Sequence, residues 1–242
     1  MDYESLLELV KNRRSIRRFK PDPIPDEYVD RIIEAARWAP SGFNSQPWEF
    51  VVVKKPELKD RIIQLVEEYS AQGPRMEAAR DPLLRPAISL LTGGEKDYRN
   101  APVFIILFGD TRTKIGLPMA VRFDSSRCQT IYLSSLANAF LYMHLAATTL
   151  GLASQWVSAV AVPLVHCLLK DFLGIPPELE VYDMMAVGYP AVKPRPKLMR
   201  AKDKMVHYDY CGEGDFRTGA EVYDFARRTR AWVIASHRRA AD

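Results

Sequence analysis

The sequence predicts an α+β domain, with helices flanking a central mixed sheet. Three observations point there. Short apolar runs at 49–54 (EFVVVK) and 102–109 (PVFIILFG) read as buried strands. Segments with i, i+3, i+4, i+7 apolar spacing read as amphipathic helices. Strands and helices follow one another without strict βαβ regularity and without an internal repeat, which favours one α+β domain.

In chain order, Tyr3, Leu6, Leu7 and Val10 have helical spacing, and the helix is expected to end near Asn12. Pro21, Pro23 and Pro25 force an extended connector. Val29, Ile32, Ile33 and Ala36 repeat the helical pattern, with Asp26 as its N-cap and Pro40-Ser41-Gly42 as its stop. A third helix is expected at 57–69. Residues 70–100 differ, because Gly73, Pro74, Pro82, Pro86, Gly93 and Gly94 interrupt charged, weakly periodic sequence; this stretch reads as a lid or insert. Tyr69 and Tyr98 flank it as lid or surface tyrosines.

The 42 residues from 128 to 169 contain no Asp, Glu, Lys or Arg. A long helix at 124–150 is expected, with Gly151 at its C′ position. Ser134, Ser135, Asn138, His144, Thr148 and Thr149 break up its apolar character, so it reads as a buried helix at a subunit interface rather than a membrane span. His144 reads as a satisfied core or interface histidine, and Trp156 as filling the core or else packing on the functional site. A strand at 153–162, a short helix at 163–173 and a strand at 181–187 follow. Residues 191–242 are rich in proline and charge, with one helix near 220–235. The expected division is one domain over 1–200 and a C-terminal extension over 201–242 that embraces a partner subunit.

Composition excludes several classes. The chain has 242 residues, and its 34 basic and 30 acidic side chains leave a net charge of +4, which makes no case for nucleic acid. The three cysteines, Cys128, Cys167 and Cys211, are far apart and form no CxxC, so a disulfide framework or a metal module is not expected, and a reducing cytoplasm fits. His166 and Cys167 are adjacent and so face different ways on a helix. The N-terminus places acids before apolar residues, the reverse of a signal peptide.

Three constellations carry chemistry. Arg13-Arg14-Ser15-Ile16-Arg17-Arg18 leaves the first helix; guanidinium forks and a hydroxyl suit a phosphate, although a solvated basic turn has the same composition. Pro40-Ser41-Gly42-Phe43-Asn44-Ser45-Gln46-Pro47-Trp48 sets amide side chains in a proline-bracketed loop. That suits the edge of a planar heterocycle, or an Asx-type turn capping the strand. Gly188-Tyr189-Pro190 leads to Lys193, Arg195, Lys197 and Arg200, a second route to an anion or a basic linker.

Taken together and in this order, RRSIRRF (13–19), PSGFNSQPW (40–48), LGL (150–152) and VGYP (187–190) resemble the nitroreductase family of FMN-dependent oxidoreductases, over roughly residues 4–200. The resemblance implies a mainly antiparallel sheet and an FMN-binding homodimer fold with the flavin at the subunit interface. It assigns Arg13, Arg14 and Ser15 to the FMN phosphate and ribityl chain, and Arg17 to the flavin N1/O2 edge. It places Pro40, Ser41, Gly42, Asn44 and Gln46 against the isoalloxazine from the other subunit. Arg200 closes on the phosphate, with Arg195 and Lys197 as competitors. It implies ping-pong transfer of two electrons from NAD(P)H through flavin N5 to a nitroaromatic or quinone, with no catalytic side chain of certain identity. Reductive dehalogenation, ene-reduction or flavin carriage without turnover are the alternatives. Ser158-Ala159 departs from the acidic-glycine pair that several members carry near N5.

Overall fold

The structure is a computed structural model and describes residues 2–70, 72, 79, 98–193 and 196–238. The expected lid at 70–100 lies almost wholly outside the described residues, as does Arg195. The chain divides into two compact units: residues 1–69 with 95–194, and residues 70–94 with 195–242.

In the first unit, β1 (Trp48–Val53), β2 (Val103–Asp110), β3 (Ala153–Val157) and β4 (Leu179–Gly188) form one sheet in the order β1-β2-β4-β3. All three pairings are antiparallel. The mixed character is carried by a parallel bridge between Ser15 and Ser154. Central β2 is buried from Val103 to Gly109, because helices cover both sheet faces.

Side chains alternate across that sheet. Phe104, Ile106, Phe108, Met184 and Ala186 pack with Ile62, Ile63 and Val66 of α3 (Pro56–Ser70) and with Val165 and Leu169 of α6 (Pro163–Leu173). Ile105, Leu107, Met185 and Val187 face the other way. They meet Val29, Ile32 and Ala36 of α2 (Asp26–Arg37) and Leu136, Phe140 and Met143 of α5 (Ser125–Thr149). Burying each such side chain is worth ~1.5–3 kcal/mol. Gly109 is required where β2 passes under α5, since a Cβ there would lie 2.1 Å from the Tyr132 hydroxyl.

Helix α5 is capped by Asp124, whose carboxylate accepts the Arg127 N–H at 3.0 Å. One side is buried through Tyr132, Leu136, Phe140 and Met143, while Leu133, Leu141 and Tyr142 stay exposed on another. Among the described residues no helix is long and apolar enough to cross a membrane. The first helix, α1 (Tyr3–Asn12), ends where expected and buries none of its residues.

Some elements differ from the sequence reading. Asp26 is the first residue of α2, after Pro25, and its carboxylate pairs with Lys54 at 2.6 Å instead of capping. The strand expected to reach 162 stops at Val157 and passes into a 3₁₀ turn, Ser158–Ala161. The three-residue period buries both Val157 and Val160 in one core before Pro163 opens α6. A short α4 (Met119–Arg122) was not expected. Tyr98 is neither lid nor surface: it is buried edge-on against Phe104, and burial pushes its phenol pKa up.

The second unit carries a 3₁₀ turn (Lys202–Lys204), a loop, and α7 (Gly219–Arg238). Thr218 and Glu221 open α7 reciprocally: the Glu221 carboxylate accepts the Thr218 N–H at 2.8 Å, and the Thr218 hydroxyl accepts the Glu221 N–H at 3.3 Å.

Candidate functional site

The arginine segment leaves α1 in extended conformation and is sewn to the ends of β3 and β4. Ile16 N–H donates to the Ser154 carbonyl at 3.1 Å, Lys20 N–H to Tyr189 at 2.9 Å, and Ala191 N–H to Arg18 at 3.0 Å. Phe19 bridges Pro190. Gly188 is needed here because a Cβ would lie 2.5 Å from Pro102 and 3.5 Å from Phe19. The arginine segment and Gly188-Tyr189-Pro190 therefore form one strap. Ser15 and Arg17 are exposed on it, while Arg13 and Arg14 are half-buried. Burial, and then the Arg14 charge, lower the pKa of Arg13; no carboxylate contributes.

Beneath the strap lies a cluster that the sequence reading only partly anticipated. His144 of α5 is 2% exposed and its Nδ1 lies 2.7 Å from the Ser154 hydroxyl. Burial, and then the Arg13 charge, drive its pKa down to about 3, so it is a neutral core histidine, satisfied at Nδ1 alone rather than fully as the sequence predicts. Its Nε2 is buried with no hydrogen-bond partner. Trp156 stacks on the His144 ring at 5.6 Å and 13°, and meets Phe140 edge-on at 4.5 Å. It is 38% exposed, so it is a lid over the cluster rather than a core residue.

Asp183 was missed. It is the one acid in the buried run Val181–Val187, and that isolation was the available signal. Its carboxylate accepts the Trp156 indole N–H, and burial raises its pKa to about 6 against hydrogen bonds from Trp156 and Ser158. The departure at Ser158 is thus tied to a buried acid.

The proline-bracketed loop rests elsewhere on α5. Gly42 N–H donates to the Ser135 hydroxyl at 3.0 Å, and the Asn138 amide donates to the Pro40 carbonyl at 3.0 Å. A Cβ at Gly42 would lie 2.2 Å from Cγ2 of Ile131. Gln46 N–H donates to the Ser41 hydroxyl at 3.1 Å, and the Gln46 side chain donates to Asn44 Oδ1 at 3.1 Å. Phe43, Asn44 and Gln46 have φ of 54°, 53° and 44°. Side chains with a Cβ each lose ~1–2 kcal/mol in that region, least for Asn. Such strain persists where surrounding contacts hold it.

The structure brings Arg13, Arg14, Ser15 and Arg17 together, and Pro40, Ser41, Gly42, Asn44 and Gln46 together. The two groups contact α5 at His144, through Ser154, and at Ser135. His144 lies nine positions after Ser135 and six after Asn138, ~9–14 Å along the axis, so the two groups are anchored at separate points of the helix. Arg200 belongs to the second unit, where its guanidinium donates to the Lys204 carbonyl at 2.6 Å. Lys197 is an exposed residue of the same unit. In chemical terms, the strap offers cations and a hydroxyl to an anion, and the loop offers exposed amide edges to a planar polar group.

Residues 10–189 match the nitroreductase family, and the chain belongs to that family. It is 36% identical over 191 residues to iodotyrosine deiodinase of Drosophila melanogaster, covering 76% of this chain and 62% of that one. It is 26% identical over 189 residues to a protein of Methanothermobacter thermautotrophicus named putative NADH dehydrogenase/NAD(P)H nitroreductase, covering 78% and 79%. Among solved structures it is similar to oxidised iodotyrosine deiodinase bound to FMN and 3-iodo-L-tyrosine, with a TM-score of 0.64, 26% identity, and coverage of 85% of this chain and 100% of that one. The chain spans a little under two thirds of the length of the deiodinase relatives it matches first, 64% and 62%.

Proposed function

We propose that the protein is an FMN-dependent oxidoreductase of two-chain sites, passing two electrons from NAD(P)H to a small conjugated electrophile such as a nitroaromatic or quinone. One observation carries the reading: the cationic strap and the amide loop are anchored separately along α5, the loop at Ser135 and Asn138 and the strap, through Ser154, at His144, so each chain offers two parts of a site that a second copy completes. The exposed apolar residues Leu133, Leu141 and Tyr142 of α5 support that homodimer.

The residues fit the cofactor. Arg13 is a half-buried guanidinium whose pKa is lowered by burial and by the Arg14 charge, and a phosphate beside it would offset both. Arg14 and Ser15 complete that grip. Arg17 holds a positive charge for the N1/O2 edge. Pro40, Ser41, Gly42, Asn44 and Gln46 present a preformed amide edge to the ring from the partner chain. FMN, when bound, supplies hydride chemistry between NAD(P)H and the acceptor. The chain binds, orients and excludes water, with Trp156 and neutral His144 walling the cluster.

The deiodinase relatives favour a second reading on the same site, reductive dehalogenation of a halogenated phenol. Cytoplasmic placement fits either.

The test is an anaerobic one. The purified protein is expected to be yellow and to bleach on NADH or NADPH, then regain colour with a nitroaromatic or quinone; recovery with a halophenol and halide release selects the second reading. A yellow protein that NAD(P)H does not bleach indicates a carrier or another reductant. Failure to take up FMN overturns the reading. Arg14→Ala is expected to weaken FMN retention ~10- to 100-fold while the fold stays intact, checked by flavin release against far-ultraviolet circular dichroism.

A further inference from the structure

The second unit contains a constellation that the flavin site does not use. His207, Cys211 and Asp215 each present a ligand atom, and the three atoms lie within 4.8 Å of one another. We propose that this loop is a binding site for a borderline-soft divalent transition-metal ion, Zn2+ above all.

The loop is built to bring these side chains together. The residues recur at every fourth position, but no helix does the work. Asp209 sits at φ 60° and Gly214 at φ 92°, one reversal between His207 and Cys211 and one between Cys211 and Asp215. Tyr210 N–H closes a tight turn onto the Tyr208 carbonyl at 2.7 Å. A left-handed Asp costs conformational energy that convergence of ligands would repay.

The donor set suits the ion. Thiolate, imidazole and carboxylate are the three ligand types that Zn2+ takes, and three protein ligands with one open tetrahedral position form a known coordination pattern. Asp215 already accepts the Gly212 N–H on Oδ2, which fixes the carboxylate and leaves Oδ1 for the ion. The His207 ring leans on Phe216, with centroids 5.0 Å apart, which restricts its rotation. Shortening 4.8 Å to the ~3.5 Å edge of a tetrahedral site needs a movement of about 1 Å in an exposed loop.

Charge does not oppose it. His207 and Asp215 line a cleft of about 250 Å³ with Arg200, Lys204 and Arg217. A neutral imidazole, a thiolate and a carboxylate around a dication sum to zero, so the loaded site places no net charge beside those cations. An acid-rich calcium site would have to accommodate them, and a thiolate is a poor ligand for calcium. The absence of a CxxC concealed the site: its single cysteine partners a histidine and an aspartate.

The experiment uses the purified full-length chain, stripped with chelator and titrated with Zn2+ against a chromophoric competitor. One Zn2+ per chain is expected, with affinity lowered at least ~100-fold in Cys211→Ser and His207→Ala and unchanged in Cys167→Ser. Co2+ is expected to give a thiolate charge-transfer band in difference spectra that Cys211→Ser removes. Alkylation of the unmutated chain keeps the test independent of how variants fold: Zn2+ should protect Cys211 and leave exposed Cys167 reactive. Equal labelling of both thiols with and without Zn2+, or equal affinity in Cys211→Ser and the parent, overturns the proposal.

Discussion

Around the C-terminal half of α5, His144, Ser154, Trp156 and Asp183 are fixed by hydrogen bonds, ring stacking and suppressed charge. Around its N-terminal half, residues 40–46 are fixed by backbone conformation, with three non-glycine residues at positive φ and a glycine against Ile131. The first region depends on protonation states and so responds to pH. The second depends on shape and so responds to volume. One helix thus supports two parts of a candidate site that fail for different reasons.

The largest expected effect separates the regions by pH. His144 titrates near 3 when folded against 6.5 when exposed, so as pH falls from 6.5 to 3 the unfolded chain binds a proton that the native chain refuses, and stability is lost. Across that window the loss is on the order of 5 kcal/mol. Asp183 has the opposite sign: with a folded pKa of about 6 against 3.8, stability falls as pH rises from 3.8 to 6, on the order of 3 kcal/mol. Near pH 5 the two proton differences cancel, and the pair contributes a nearly flat profile. Asp183→Asn is expected to expose the histidine and make the protein acid-labile. His144→Gln is expected to expose the aspartate, so that stability rises on acidification from pH 7 to 4. Urea unfolding across a pH series checks both; parallel profiles for parent and variants would discard the assignment.

The next effect is steric and belongs to the loop. Gly42→Ala sets a methyl 2.2 Å from a branched Ile131 carbon that cannot swing away freely. A loss of about 1–3 kcal/mol is expected, independent of pH. Ile131→Ala in the same chain should recover much of it. A double variant no more stable than Gly42→Ala would show that the loop is held by something other than that contact.

The contrast also explains what was legible in the sequence. The basic character of the strap was readable because Arg13, Arg14, Ser15 and Arg17 are neighbours in the chain, and its anchoring to the ends of β3 and β4 was not. The sheet was readable because β2 is apolar from Val103 to Phe108, and α5 because it carries no charge after Arg127. Asp183 was not readable as half of a pair, since its partner Trp156 is 27 positions away and joined only by the β3–β4 pairing. The choice for Trp156 between core and site was not readable for the same reason: strand register decides which tryptophan keeps an edge in solvent. The 3₁₀ turn that ends β3 is a packing solution, burying Val157 and Val160 together, with no local breaker to announce it. The metal-type loop was missed because its ligands converge through two left-handed residues rather than through a spacing that regular structure enforces.

The smallest effect tests whether the loop stores strain for use. Phe43 has φ 54° and ψ 28° and is 61% exposed, so its side chain gives little burial in return for its backbone conformation. Asn accepts that region more readily, through short-range hydrogen bonding of its amide. Phe43→Asn is therefore expected to stabilise the chain by ~0.5–1 kcal/mol, read as a higher urea midpoint at unchanged m-value. If the exposed ring serves the flavin edge of the proposed site, the same substitution weakens FMN retention. Stability would then rise while binding falls, the signature of strain kept for function. A variant that gains stability and keeps its flavin would show that residues 40–46 are shaped by the fold alone, and a variant that gains no stability would remove the claim of strain at Phe43.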